Sequence, residues 1–276
     1  MKHFTVFGNP ISHSLSPQIH QAFAQQFGIE LQYTRSLASK ATFAQHVAAF
    51  FRSGGAGANI TVPFKQQAEQ LVTHLTDRAA RAGAVNTLIP LGYGQLLGDT
   101  TDGAGLLNDL RFITQRERPA AKVLIIGAGG AAAGVIESLQ GCGMEVAMTN
   151  RTSTKVTELQ QRFAGLQGLE FADLNQPRPS AWQADDYILV NATSASLGQH
   201  QLAIHESWFE GAVLAYDMMY AKTDTVFMQQ AQRAGVAKTA DGLGMLIEQA
   251  ATAFALWHEG MLPNTEMVRR QLASRG

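Results

Sequence analysis

Lys65 follows the stretch Asn59-Ile-Thr-Val-Pro-Phe, whose first half alternates apolar and polar residues and carries β-branched Ile60, Thr61 and Val62. That pattern predicts the end of a buried strand. Pro63 cannot donate a ladder hydrogen bond, so it ends the strand and turns the chain out of the sheet. Lys65 then falls at the start of a helix expected over 66–75, where open α/β sheets place ligands. A cation there gains nothing from the nearby positive end of the helix dipole. It is either a solvated surface lysine or a charge kept for a ligand. Ser14 and Ser16 precede a second expected helix, with Ser16 as hydroxyl N-cap and Pro17 at the first helical position. They either cap and turn the chain or offer an anion site. Asn86 is an amide in an apolar strand, costly to bury without partners. Asp102 stands before the helical spacing Leu106, Leu107, Leu110 and alone reads as an N-cap.

The elements that must hold these groups can be read in order. Strand His3–Gly8 leads to a helix with Ile19, Phe23 and Phe27 on one apolar face, ended by Gly28. A strand over 32–37 and a helix over 42–52 come before the Lys65 stretch. Gly92-Tyr-Gly94 joins two further strands as a hairpin. The charged, proline-bearing segment 115–120 reads as a linker. Beyond it, Lys122-Val-Leu-Ile-Ile is a doubly buried parallel strand. It runs into Gly127-Ala128-Gly129-Gly130-Ala131-Ala132, the G-x-G-x-x-A form of a dinucleotide fingerprint, with a second strand at 145–149. After that strand an acid for a ribose hydroxyl is missing; Asn150, Arg151 and Thr152 stand there, with Lys155 one turn on. Two cations in place of an acid predict a 2′-phosphate, hence NADP(H). Strands are expected near 169–172, at 187–191 and at 212–216. The polar loop Asn191-Ala-Thr193-Ser194 is where a cofactor would lie across the sheet. Met218 is either core or packing for a nicotinamide ring. The last long helix should bury Leu246, Ala250, Ala253 and Leu256, with Gln249 polar among them.

Composition narrows the class. A chain of 276 residues favours two domains. Its net charge of −1 gives no footprint for nucleic acid or an acidic membrane. Cys142 is alone, which suits a reducing cytoplasm, and no apolar run is long enough for a bilayer. The eight histidines have no ligand spacing, so no metal site is expected.

Together these stretches resemble shikimate dehydrogenases. The match is carried by Asn9-Pro-Ile-x-His-Ser-Leu-Ser-Pro17, Asn59–Lys65, Gly83-Ala-Val-Asn-Thr87, Thr101-Asp-Gly103, Gly127–Ala131, Asn150-Arg-Thr152, Asn191–Ser194, Tyr216-Asp-Met218 with Tyr220, and Ala240–Met245. The resemblance implies a two-domain α/β fold: a substrate domain with a mainly parallel sheet over 1–102 and 243–276, whose carboxy-terminal helices return to it, and a Rossmann-type NADP-binding domain over 103–242. It implies NADPH-dependent reduction of 3-dehydroshikimate to shikimate, in a monomer or homodimer with no partner but its small-molecule substrate. Ser14, Ser16, Thr61, Lys65, Asn86, Asp102, Tyr220 and Gln249 are similar to the family's substrate shell, and Met218 and Gly242 to its nicotinamide side. Ketone reduction then asks Lys65 to meet the developing alkoxide and Asp102 to orient it; closure of a cleft between the domains would exclude water. Thr100 and Ala195 depart from the family pattern, which often has asparagine and glycine there. A quinate/shikimate enzyme with relaxed cofactor choice and a non-catalytic NADP-binding protein are the competing readings. The second should have lost Lys65 or Asp102.

Overall fold

The computed structural model describes residues 1–183, 186–198 and 200–273. The chain divides into two compact units: Met1–Leu106 with Leu246–Gly276, and Leu107–Met245.

The first unit opens β1 (Lys2–Gly8), α1 (Ser16–Gln26), β2 (Leu31–Leu37), α2 (Phe43–Arg52), β3 (Gly57–Ile60), α3 (Lys65–Glu69), β4 (His74–Leu75), α4 (Asp77–Ala82), β5 (Thr87–Gly92) and β6 (Gln95–Asp99). Its sheet has the order β2-β1-β3-β5-β6-β4. β1 lies parallel to both β2 and β3, while β5 and β6 form the expected antiparallel hairpin. Phe7, Phe43, Ala58, Ile60, Phe64 and Leu88 fill the core on one side.

Three sequence expectations need correction here. Lys65 does begin a helix, but α3 covers one turn and a half, and His74–Leu75 is a strand rather than helix end. The strand before it stops at Ile60; Val62 is exposed, so its β-branching serves the turn and not the sheet. Ser16 is the first helical residue and not the cap. Leu15 holds the N-cap position without a side-chain bond, and the Ser14 hydroxyl accepts the Ser16 N–H at 3.3 Å.

α5 (Asp102–Thr114) leads into the second unit, which continues through β7 (Lys122–Ile126), α6 (Gly130–Gly141), β8 (Glu145–Thr149), α7 (Ser153–Arg162), β9 (Gln167–Leu169), β10 (Tyr187–Asn191), α8 (Ser207–Glu210), β11 (Ala212–Asp217), α9 (Val226–Arg233) and β12 (Thr239–Ala240). Its strands are all parallel in the order β12-β11-β10-β7-β8-β9, the doubly wound arrangement whose switch point lies between β7 and β10. The strand expected near 169–172 ends at Leu169, and Phe171–Asn175 is a 3₁₀ turn.

The chain then returns through α10 (Leu243–Trp257) and α11 (Thr265–Ala273). The boundaries of the two units fall inside α5 and α10. The buried face of α10 includes Ala250 and Ala253 as expected but turns away from Leu246 and Leu256. Ile247, Ala250, Ala251, Ala253, Phe254 and Trp257 are buried, while Leu256 is exposed and Leu246 half-buried. Aromatic packing decides this, because Phe254 stacks on His258 and Trp257 packs on Phe4.

His20 sits in the same aromatic cluster, stacked on Tyr33 at 4.4 Å and wholly buried, with neither ring nitrogen in a hydrogen bond of good geometry. Burial pushes its pKa down to about 3, against a weaker upward pull from the Asn59 side chain and with a small further push from His258. The folded chain therefore holds it neutral, while an unfolded chain takes up a proton below about 6.5. Stability is expected to fall as pH drops from 6.5 toward 3, with no contribution from this group above 6.5. His20→Phe should remove about 3 kcal/mol of the parent's loss between pH 7 and pH 4. Denaturant unfolding at the two pH values reads this directly, and parallel losses in parent and variant would contradict it.

Candidate active site

Lys65 opens α3 and Asp102 opens α5, and the two side chains meet. Lys65 Nζ donates to Asp102 Oδ2 at 2.6 Å, with the side chains 13% and 4% exposed. Asp102 thus spends its carboxylate on a cation rather than on capping its helix. Its other oxygen, Oδ1, accepts from Asn86 Nδ2 at 2.9 Å. A pair this far out of water is weak evidence of stability, but losing one partner would strand a buried charge.

Asn86, just before β5, answers the cost its burial raised. Its Oδ1 accepts the Thr101 N–H at 2.9 Å and the Thr87 hydroxyl at 2.7 Å. Its amide group also reaches Gln249 Oε1 at 3.2 Å. Gln249 is held in turn by donating to the Leu246 carbonyl of its own helix at 2.9 Å. Lys65, Asn86, Asp102 and Gln249 therefore form one connected polar group. A second ion pair fixes the segment just before it. Buried Asp99 takes two bonds from Arg78, at 2.7 and 2.6 Å, and accepts the Thr100 N–H at 2.7 Å. Thr100 is thus positioned by its backbone, and among the described residues its buried hydroxyl has no partner.

Ser14 and Ser16 lie together at the start of α1, with Ser14 Oγ donating to Ser16 Oγ at 3.2 Å. Thr61, half-buried, is tied by its N–H to the Phe7 carbonyl at 2.9 Å. Sequence reading missed several members of this network. Tyr33 donates to Asn59 Oδ1 at 2.7 Å, Asn59 reaches Thr87 Oγ1 at 3.2 Å, and Arg35 Nε donates to the Ser14 carbonyl at 2.8 Å. Tyr33 and Arg35 stand in an ordinary-looking strand, and only strand pairing brings them beside residues far along the chain.

The second unit carries the dinucleotide features. Gly127 follows β7 with φ of +118°, and a Cβ there would lie 3.1 Å from the Ala192 backbone. Only glycine suits both the angle and the contact. Gly129 is the N-cap of α6, exposed, and a Cβ on it would meet nothing within 4 Å. Gly130 and Ala131 form the first turn, half-buried, while Ala128 is buried. Backbone N–H groups are thus offered to open space at a helix start, as a pyrophosphate requires. Asn150 donates to the Thr152 carbonyl at 3.0 Å, shaping the loop that exposes Arg151, Thr152 and Lys155. Among the described residues, neither cation enters an ion pair, and Glu158 does not hold Arg151. The residues present fit a phosphorylated dinucleotide.

Across the switch point, Thr193 turns inward, its hydroxyl donating to Asn191 Oδ1 at 2.7 Å. Ala195 is not in the left-handed region, so its methyl group costs no backbone strain where the family often has glycine. Met218 is buried and donates its N–H to the Asn191 carbonyl at 2.8 Å. A Cβ on Gly242 would fall 2.2 Å from the Met218 carbonyl oxygen, so glycine is obligatory there. Tyr220 lies half-buried in the loop after β11, within the second unit.

Comparison with known proteins decides the family. Residues 6–88 match the shikimate dehydrogenase substrate-binding domain, 113–213 the shikimate/quinate 5-dehydrogenase family and 242–273 the shikimate 5'-dehydrogenase C-terminal domain. A shikimate 5-dehydrogenase from Thermus thermophilus, solved with NADP(H) and shikimate, is 30% identical, with 96% of each chain covered and a TM-score of 0.81. The chain belongs to the shikimate dehydrogenase family. An Ael1 enzyme from Pseudomonas putida is similar at 35% identity, covering 99% of this chain and 98% of its own, with a TM-score of 0.86. The Aquifex aeolicus shikimate dehydrogenase matches at 28% and a TM-score of 0.84, over 99% and 97% of the two chains. Among the described residues there is no cluster of three potential metal ligands, and no helix is long and apolar enough to cross a membrane.

Proposed function

We propose that this chain is an NADP-dependent shikimate dehydrogenase, reducing 3-dehydroshikimate to shikimate and running the reverse reaction as well. The observation that carries the reading is the 2.6 Å Lys65–Asp102 pair, buried and joined to Asn86 and Gln249. Residues 1–102 and 243–276 hold the substrate, and 103–242 hold the cofactor. The bound reduced nicotinamide supplies the hydride. Gly127, Ala128, Gly129, Gly130 and Ala131 would seat its pyrophosphate, Asn150, Arg151, Thr152 and Lys155 its 2′-phosphate, and Thr193, Met218 and Gly242 its nicotinamide half.

The residues of the first unit do the rest of the chemistry. Lys65 Nζ meets the carbonyl oxygen as negative charge develops and passes it a proton. Asp102 aims that ammonium and offsets its burial. Asn86, Asp102, Thr61 and Gln249 read the ring hydroxyls, and Tyr220 stays in the substrate shell on the family resemblance alone. Ser14 and Ser16 hold the substrate carboxylate at the start of α1, where the helix dipole favours an anion. The single cysteine supports a cytoplasmic enzyme.

Quinate is the second reading, because the family description spans shikimate and quinate alike. Initial rates of NADP⁺ and NAD⁺ reduction, each with shikimate and with quinate, separate the two. Shikimate with NADP⁺ should give the highest kcat/KM of the four. A higher value with quinate, or with NAD⁺, would overturn the assignment, and no turnover with any pair would favour a binding protein.

The anchoring role has its own test. Ser16→Ala should raise KM for shikimate about ten- to a hundredfold, the scale of one hydrogen bond to a charged group, with kcat little changed. A fall confined to kcat would place the carboxylate elsewhere.

A further inference from the structure

The start of α10 is held from outside its own helix. The first N–H groups of any helix have no partner within it and must find one elsewhere. Asp241 Oδ1 accepts the Leu243 N–H at 3.1 Å, and the Tyr216 hydroxyl, near the end of β11, accepts the Met245 N–H at 3.3 Å. Tyr216 in turn donates to Asp109 Oδ2 of α5 at 2.6 Å. Gly244 lies against the same carboxylate, and a Cβ there would collide with Asp109 Oδ1. Asp109, Tyr216, Gly244 and Met245 all belong to the second unit, and all four are buried.

The direction of each link is fixed. Burial first, and then the Asp109 charge, push the Tyr216 phenol well above its usual pKa, so it keeps its proton and gives it to the carboxylate. Its oxygen is left to accept the Met245 N–H. What this clamp sets is the turn just before α10. The Gly242 N–H donates to the Met219 carbonyl at 3.0 Å, and a Cβ on Gly242 would collide with the Met218 carbonyl. Met218 is fixed on its other side by β10, where its N–H donates to the Asn191 carbonyl at 2.8 Å. Asp217 Oδ1 accepts from Asn191 Nδ2 at 3.2 Å and from the Met219 N–H at 3.0 Å. A shift of the α10 start therefore pushes on Met218 or breaks the Gly242–Met219 bond.

We propose that Tyr216 and Asp109 are positioning residues for the nicotinamide half of the cofactor: they pin the start of α10, and with it Gly242, against Met218 at the end of β11. The inference rests on the reading of Met218 and Gly242 as the nicotinamide side. Neither Tyr216 nor Asp109 is assigned a contact with cofactor or substrate. Hydride transfer depends steeply on how the ring is presented, so a loosened turn costs rate as well as affinity. The adenosine end of the cofactor falls to the segments after β7 and β8, which this clamp does not include.

The test compares two ligands of the whole enzyme: NADP⁺, and adenosine 2′,5′-bisphosphate, which keeps the 2′-phosphate end and lacks the nicotinamide. Tyr216→Phe keeps the ring and deletes only the hydroxyl. It should weaken NADP⁺ about three- to tenfold, the scale of one lost hydrogen bond, and leave the bisphosphate within about twofold. The single-turnover rate of 3-dehydroshikimate reduction at saturating NADPH should fall at least about threefold. Equal weakening of both ligands, or a parental NADP⁺ affinity or rate even with a lowered melting temperature, would reduce the clamp to a structural one and overturn the proposal. Met218→Ala separates the two layers. If it changes neither NADP⁺ affinity nor the rate, the nicotinamide-side reading fails and the proposal with it; if it changes either while Tyr216→Phe changes neither, only the positioning role fails. Where Tyr216→Phe does not fold, Gly244→Ala keeps both clamp residues and drives the turn away from Asp109. It should give the same split between the two ligands, and parental values in that variant would equally overturn the proposal.

Discussion

Lys65→Ala is expected to lower turnover by about 10²–10⁴-fold, the usual worth of a positioned acid–base group, and to change KM for shikimate far less. The expectation follows from placement. Lys65 is the only described cation joined to the Asn86–Gln249–Asp102 group, and its ammonium reaches that group at 2.6 Å. Removing it takes away the charge that the developing oxyanion needs, which matters in the transition state more than in the ground state. It also leaves Asp102 buried without its cation, so Lys65→Ala should be checked for a lowered melting temperature alongside the rates. Asp102→Asn keeps the shape but lets the ammonium wander, and should cut turnover as well. A large rise in KM at unchanged turnover would recast Lys65 as a substrate-binding cation.

The second large effect concerns the cofactor and lies in the other unit. Arg151→Ala should weaken NADPH by about ten- to a hundredfold and hardly alter NADH. Arg151 and Lys155 stand exposed just after β8, where this fold presents the adenosine ribose, and no described carboxylate competes for them. A guanidinium can give a 2′-phosphate paired, charge-assisted bonds, and NADH has no group there to accept them. Titration of the variant with both cofactors checks this. Equal loss for both, or none for either, would retire the 2′-phosphate role.

Parts of this architecture could be read without coordinates because local rules and the fold agreed. Lys122–Ile126 is apolar after its first residue and ends in glycines, which only a doubly buried strand feeding a tight turn explains. The Gly92-Tyr-Gly94 hairpin was equally legible, since Gly92, Tyr93 and Gly94 all take positive φ. Elsewhere longer-range packing overrode the local signal. Gln66–Leu75 has a helical composition, yet His74–Leu75 pairs with β6 as a short parallel strand. Leu256 fits the periodicity of α10, but the packing of Phe254 and Trp257 turns the helix and leaves it outside. Asp102 illustrates the limit for single residues. Capping was the sounder reading of its neighbours alone, and the partner that claims it is 37 residues away. Asn59 and Thr87 stand in stretches that carry the resemblance, but Tyr33 could not be singled out at all, because nothing in a strand's own sequence tells which strand will lie beside it.

The central claim, that Lys65 and Asp102 act as one unit on the substrate oxygen, is most directly tested by a double-mutant cycle. Single-turnover rates of 3-dehydroshikimate reduction by NADPH would be measured for Lys65→Ala, Asp102→Asn and the double variant, with cofactor saturating. Groups that work as a unit are strongly non-additive. The account predicts that the double variant is only slightly slower than the slower single. A double variant slowed by the full product of the two single losses would contradict it.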